Sequence, residues 1–213
     1  MSLSILSTGL SGMIGTRLQE VWRDDVVVND THAAGVDITN SDAVEAWMRG
    51  SDAPVVLHMA AKTDVDGCED DKIFGEEGEA WQINVRGTEY IIAAAKKTGK
   101  RMIYVSTDFV FDGVKEFYTE DDEPNPVNWY GRTKEEAERV VQTSTIPCTI
   151  VRIAYPYGAQ ATGKKDFVFR MKEQIEKELG WKPEHTFDTW LGKTVQWYRE
   201  HEAWWKRVKI SNE

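Results

Sequence analysis

Short apolar runs alternate with amphipathic stretches along most of the chain. Residues 3–8, 25–29, 54–59, 101–106 and 148–153 are brief runs rich in Val, Ile and Leu, too short for buried helices and of the kind found in strands covered on both faces. Between them, residues 13–22, 41–48, 79–97 and 130–142 carry apolar positions at helical spacing. Asn40 and Ser41 are both suited to cap the second of these helices. Strand and helix alternate, the pattern of an α/β protein with a doubly wound parallel sheet, Rossmann-like, whose crossovers are right-handed.

After Gly158 the rhythm breaks. Residues 164–180 predict one charged amphipathic helix and 187–205 a second, which carries Trp190, Trp197, Trp204 and Trp205. No sixth strand is evident, so the helical C-terminal part is reduced. The expected division is a Rossmann-like domain over 1–160 and a short helical segment over 161–213.

The first chemical signal lies between the first strand and the first helix. Gly9, Gly12 and Gly15 are spaced as GxxGxxG, with Ser11, Met13 and Ile14 among them. Gly9 permits a sharp turn, Gly12 lets backbone approach a pyrophosphate, and Gly15 lets the helix pack close to the strand. The helix N-terminus then offers its free N–H groups to the phosphates. The same string without a ligand is a tight strand-to-helix turn. Asp30 ends the second strand about twenty residues past the first glycine, where a carboxylate takes the adenosine ribose hydroxyls of a dinucleotide. Such a carboxylate repels a 2′-phosphate, so NAD is the expected cofactor and NADP the alternative. Asp37 and Ile38 either flank the adenine or form a turn before the next helix.

The second signal is Ser106, Thr107 and Asp108 at the end of the fourth strand together with Tyr130 and Lys134. Four residues apart on a helix, Tyr130 and Lys134 share a face. An ammonium beside a phenol stabilises the phenolate and allows proton exchange with a substrate oxygen near neutrality. Alone, the spacing also fits an exposed helical pair; behind a glycine turn and a strand-terminal Ser-Thr, it points to a site.

Charge and cysteine content narrow the class. The net charge of −10 would repel a phosphate backbone, and no dense Lys/Arg stripe offsets it, so nucleic acid is not expected as a partner. No apolar run approaches membrane-span length and the N-terminus has no basic leader, so a cytoplasmic protein without membrane association is expected. Cys68 and Cys148 fit no metal-ligand spacing and are expected to be buried or idle thiols; no metal site is expected. The run from Glu120 to Glu123 is expected to be a solvated acidic loop.

The strings TGLSGMIG, HMAAKTDVD, INVRGT, VSTDFVFDG and EPNPVNWYGRTKEEAE resemble the successive motifs of extended short-chain dehydrogenase/reductases, in particular the dTDP-4-dehydrorhamnose reductases within the nucleotide-sugar epimerase/dehydratase superfamily. The resemblance covers residues 3 to about 158. It implies Thr107, Tyr130 and Lys134 as a catalytic triad, with Tyr130 as proton donor and Lys134 also holding the nicotinamide ribose. It implies that Ala60, Ala61 and Lys62 border the cofactor, and that Thr63, Val65, Asp66 and Asp108 face a nucleotide-sugar substrate. His58 opens the His-x-Ala-Ala strand end and reads first as a packed core imidazole. Related 4,6-dehydratases carry an Asp-Glu pair after the catalytic Thr to eliminate water; here Asp108 is followed by Phe109, which disfavours elimination.

The segment from Glu178 to Pro183, with Phe187 and residues 193–198, resembles the tail of nucleotide-sugar dehydratases and epimerases. In those families a substrate-binding region intervenes, so the chain reads as internally deleted near residues 171–176. Such a deletion would leave the sheet edge beside the fifth strand open, with the tail tryptophans expected in a core that covers it and, as the alternative, on a ligand-stacking or partner-binding face. The resemblance implies a reductase of a nucleotide-linked 4-keto-sugar and makes a homodimer plausible. Its alternatives are a non-catalytic dinucleotide-binding regulatory module and an epimerase.

Overall fold

The computed structural model describes residues 3–22, 25–157, 166–182 and 184–204. The chain divides into two compact units, residues 1–167 and 168–213.

The first unit is built on five parallel strands: β1 (Leu3–Thr8), β2 (Val26–Asp30), β3 (Val55–His58), β4 (Arg101–Thr107) and β5 (Cys148–Ile153). Their order is β2-β1-β3-β4-β5, so the chain reverses direction across the sheet after β2. In α/β sheets the crevice at such a switch point, outside the carboxyl ends of the strands, is where ligands bind. All five strands were expected from their apolar runs, with bounds that shift by a residue or two at β2, β3 and β4.

The helices of this unit are α1 (Met13–Trp22), α2 (Ser41–Arg49), α3 (Val65–Asp71), α4 (Glu79–Trp81), α5 (Gly87–Thr98) and α6 (Trp129–Thr143). Asn40 is the cap of α2: its side chain accepts from Asp42 N and Ala43 N, both at 3.1 Å. Leu6, Val56, Met102 and Tyr104 point to one face of the sheet, where they form a core with Val44 and Met48 of α2, Ile91 and Ala95 of α5, and Ala137 and Val141 of α6. At the far side, β5 is the last strand among the described residues, and its Val151 is 41% exposed.

Two departures from the expected elements bear on the site. The helix expected over 79–97 is interrupted by a wide π turn, Gln82–Arg86, between α4 and α5. Insertions of this kind gather at functional sites. Helix α3 was not expected, because its sequence VDGCEDD has no apolar period; only Cys68 in it is buried.

The second unit contains α7 (Phe167–Leu179), which begins at the boundary, and α8 (Phe187–Glu200). Within this unit Trp190, Trp197 and Trp204 are 47%, 42% and 56% exposed. Their contacts are local along the helix, Trp197 stacking on His201 at 4.3 Å and meeting Trp204 edge-on at 5.4 Å. Trp205 lies outside the described residues.

Candidate active site at the carboxyl ends of the strands

The turn from β1 into α1 requires two of its three glycines for the fold itself. Gly9 has φ 79°, and a β-carbon there would lie 2.7 Å from the backbone nitrogen of Ala60. A β-carbon on Gly15 would lie 2.2 Å from the carbonyl oxygen of Leu10. Gly12 differs: its nearest obstacle is Gly9 O at 3.2 Å. Its N–H donates to that same oxygen at 3.0 Å, and its carbonyl accepts from Thr16 N at 2.9 Å. The protein leaves the space outside Gly12 open, beside the exposed Ser11 and the half-buried Met13 and Ile14. A helix N-terminus bordering open space suits an anion.

Asp30 lies against this turn. One carboxylate oxygen accepts from Leu10 N at 3.0 Å and the other from His32 N at 2.9 Å, so the side chain is fixed and buried at the end of β2. Asp37 and Ile38 are engaged locally. Asp37 accepts from the backbone and hydroxyl of Thr39, both at 2.8 Å, and the Thr39 N–H holds its carboxyl below the usual range. Ile38 is buried in the core, against Gly87.

A buried polar chain runs from this turn towards α6. Thr8 Oγ1 accepts from Met59 N at 3.2 Å and Ala60 N at 3.1 Å and lies 2.6 Å from His58 Nδ1. His58 Nε2 lies 3.0 Å from Thr88 Oγ1, which donates to Asn84 O at 2.7 Å. With its proton directed to Asn84, Thr88 can only accept from His58, which fixes the imidazole as the neutral Nε2–H form. Burial, aided by the Lys134 charge, pushes its pKa down to about 3. This is the packed imidazole expected from sequence. Asn84, in the π turn, extends the chain: its carbonyl accepts from Lys62 N at 2.8 Å, and its amide donates to Lys62 O at 3.1 Å and to Thr133 Oγ1 at 2.8 Å. Thr133 in turn donates to Tyr130 O at 2.8 Å. Asn84 thereby ties the loop after β3 to the helix of Tyr130. It stands in the string INVRGT but took no role in the sequence reading, because its contacts are made by the wide turn, which periodicity does not announce.

Thr107, Tyr130 and Lys134 gather at the end of β4. Asn128 caps α6 by accepting from Gly131 N at 2.8 Å. Tyr130 is buried with Cys68, Ala80, Val65, Phe109 and Trp129, meeting the Phe109 ring edge-on at 5.6 Å. Thr107 donates to Asp108 Oδ1 and accepts from Phe109 N, each at 3.2 Å. Lys134 Nζ donates to Val105 O at 2.9 Å and lies 4.2 Å from the Tyr104 ring centroid. Burial raises the phenol of Tyr130 to about 12, with the Thr107 hydroxyl acting the other way. Burial also lowers Lys134 to about 7, against the opposing charge of Glu138. The ammonium was expected to lower the phenol. In this arrangement it is turned to the β4 backbone, and desolvation decides the direction at Tyr130.

The other expected residues surround this pair. Ala60, Ala61 and Lys62 are half-buried after β3, with Lys62 paired to Glu79. Thr63 and Asp66 are exposed, while Val65 packs beside Tyr130. Cys68, against the same cluster, has its thiol raised by burial to about 11, and both cysteines are free.

The family described as the RmlD substrate binding domain matches residues 3–180. The chain belongs to this family. Similar proteins include the dTDP-4-dehydrorhamnose reductase of Aggregatibacter actinomycetemcomitans, 34% identical over 72% of this chain and 52% of that protein. Methionine adenosyltransferase 2 subunit beta of Bos taurus is 31% identical over 81% of this chain and 52% of that protein. The crystal structure of a dTDP-4-dehydrorhamnose reductase from Clostridium acetobutylicum superposes with TM-score 0.70 and 35% identity over 82% of this chain and 60% of that one. That of Bacillus anthracis, in complex with NADP, gives TM-score 0.70 and 30% identity over 84% and 61%. The chain therefore spans about half the length of the curated relatives it matches. Among the described residues no helix is long and apolar enough to cross a membrane, and no cluster of metal-ligating side chains occurs.

Proposed function

We propose that the chain binds a nicotinamide dinucleotide across the carboxyl ends of its strands and acts as a reductase of a nucleotide-linked 4-keto-sugar. The observation that carries this reading is the placement of Tyr130 and Lys134, both buried and one turn apart on α6 beside the end of β4 and Thr107, with an open glycine turn at the end of β1. The open side of Gly12 fits a pyrophosphate, which would lie against Gly9, Ser11, Met13, Ile14 and Gly15. Asp30 would accept the adenosine ribose hydroxyls, Ala60, Ala61 and Lys62 would border the dinucleotide, and Lys134 would hold the nicotinamide ribose. The reduced nicotinamide supplies the hydride. Thr107 then holds the substrate oxygen, and Tyr130 donates its phenolic proton to that oxygen as the carbonyl becomes a hydroxyl. A phenol kept neutral by burial is in the correct form to donate. Thr63, Val65, Asp66 and Asp108 would border the sugar, and a homodimer would bring further surface to the exposed β5 edge.

A second reading, a dinucleotide-binding subunit without turnover, is supported by the similarity to methionine adenosyltransferase 2 subunit beta over 81% of the chain. Calorimetric titration with NADH and NADPH, followed by NADH oxidation with dTDP-4-keto-sugar, separates the readings. Binding with NADH preferred and substrate-dependent oxidation is the expected result. Binding without oxidation of any nucleotide-sugar would favour the second reading, and failure to bind either dinucleotide would remove both.

A further inference from the structure

A buried ion pair stands one helical turn beyond Lys134. Glu138 lies four residues on, on the same face of α6, and its side chain is 2% exposed. Arg152 of β5 grips its carboxylate: Nε donates to Oε1 at 3.0 Å and to Oε2 at 3.2 Å, and a terminal nitrogen donates to Oε2 at 2.7 Å. The guanidinium is itself fixed, 4.9 Å from the centroid of the Phe111 ring, and Arg152 stands level with Ser106 in the pairing of β4 and β5. Lys134 is spaced to form its own ion pair with Glu138, yet its Nζ donates to Val105 O instead.

We propose that Arg152 is a positioning residue for Lys134: by occupying both oxygens of Glu138 it keeps that carboxylate from capturing the ammonium, which stays directed at the end of β4. The inference rests on the reading of Lys134 as the cation that holds a bound nucleotide. A buried carboxylate requires a charged partner, and the planar fork of a guanidinium satisfies two oxygens where an ammonium satisfies one. Without Arg152, the cation that shares the helix face of Glu138 is Lys134, since the adjacent Arg139 is paired with Glu136. The titratable groups facing Lys134 are Glu138 on its own helix, Tyr104 on β4 and His58 on β3. Burial keeps His58 and Tyr104 neutral at pH 7, so the balance between Glu138 and Arg152 sets the charge that Lys134 meets.

The test follows the titration of Lys134 in the full chain, labelled with ¹³Cε-lysine, the resonance being assigned by its loss in Lys134→Met. Arg152→Met should raise the midpoint by about one pH unit or more, as the freed carboxylate takes the ammonium. Glu138→Gln should lower it, and the double variant should titrate with Glu138→Gln rather than with Arg152→Met. NADH affinity should fall roughly tenfold in Arg152→Met, a loss of about 1.4 kcal/mol, and largely recover in the double variant. Where Arg152→Met does not fold, Arg152→Lys, which keeps the charge but not the fork, should give a smaller rise. An unmoved or lowered midpoint in the Arg152 variant, or a double variant that titrates with Arg152→Met, overturns the proposal. If the parent chain fails to bind NADH, the nucleotide reading falls, while the titration still decides the role of Arg152.

Discussion

Gly131 presses its backbone against the carbonyl of Phe109, so closely that a β-carbon on it would lie 2.2 Å from that oxygen. The same β-carbon would meet Pro126 Cβ at 3.0 Å. The first turn of α6 can therefore approach the end of β4 only because position 131 has no side chain, and this approach brings Tyr130 to Thr107. Gly131→Ala must displace either the helix start or the Phe109 backbone, neither of which is a flexible tip. A loss of roughly 1–3 kcal/mol is expected, the usual cost of overpacking, read from the midpoint of urea unfolding. Unchanged stability together with unchanged binding of NADH would show that the helix start is free to shift.

Much of this arrangement is legible in the sequence, and the reasons are physical. β1 and α1 were placed to the residue because an apolar run, a glycine turn and a helical period follow each other without interruption. Tyr130 and Lys134 were found because a four-residue spacing fixes a shared helical face. The expected helix over 79–97 was right in its periodicity, but it hid the π turn around Asn84, since a widened turn changes hydrogen bonding and not hydrophobic pattern. α3 was missed because it buries only Cys68. The pKa direction at Tyr130 was not legible at all. It depends on how much water the phenol loses and on where the Lys134 ammonium points, and both are tertiary facts.

The glycine turn offers a contrast within one motif. Gly15→Ala places a β-carbon 2.2 Å from the Leu10 carbonyl, whereas Gly12→Ala meets only Gly9 O at 3.2 Å. Gly15→Ala should thus lower the melting temperature markedly, while Gly12→Ala should lower it less, and a folded Gly12→Ala or Gly12→Val chain should lose NADH binding. A folded Gly12→Val chain that binds NADH as the parent does would show that the open space at Gly12 is not the pyrophosphate site.

His58 gives the fold a pH dependence of known sign. Its pKa is lowered from 6.5 to about 3 in the folded chain, chiefly by burial. Between those values the unfolded chain holds a proton that the folded chain does not. Its contribution to stability is full above about pH 6.5 and falls as the pH drops towards 3, with a slope approaching about 1.4 kcal/mol per unit. Urea unfolding at a series of pH values should show this decline, and His58→Gln, which does not titrate there, should flatten it whatever its effect on stability at pH 7. An equal slope in the variant would place the decline with other groups.

Tyr130 and Lys134 should separate when each is replaced by an apolar residue of similar shape. Tyr130→Phe keeps the ring that packs with Cys68, Ala80 and Phe109 and removes only the hydroxyl. In the proposed reaction that hydroxyl acts when the substrate oxygen takes its proton, so turnover should fall by roughly 10²- to 10⁴-fold, the range for a lost general acid, with NADH affinity nearly unchanged. Lys134→Met removes a cation that donates to Val105 O and is proposed to hold the ribose, so affinity and turnover should both decline. The pH profiles should differ as well. With Lys134 lowered to about 7, NADH affinity in the parent chain should weaken as the pH rises through 7, because the ammonium that binds is lost. That weakening should persist in Tyr130→Phe and be absent from Lys134→Met. Titrating NADH at pH 6 and pH 8.5 in all three chains decides the matter: equal, small effects in both variants would mean that the two side chains act as helix packing alone, and an unchanged pH dependence in Lys134→Met would assign the titration to another group.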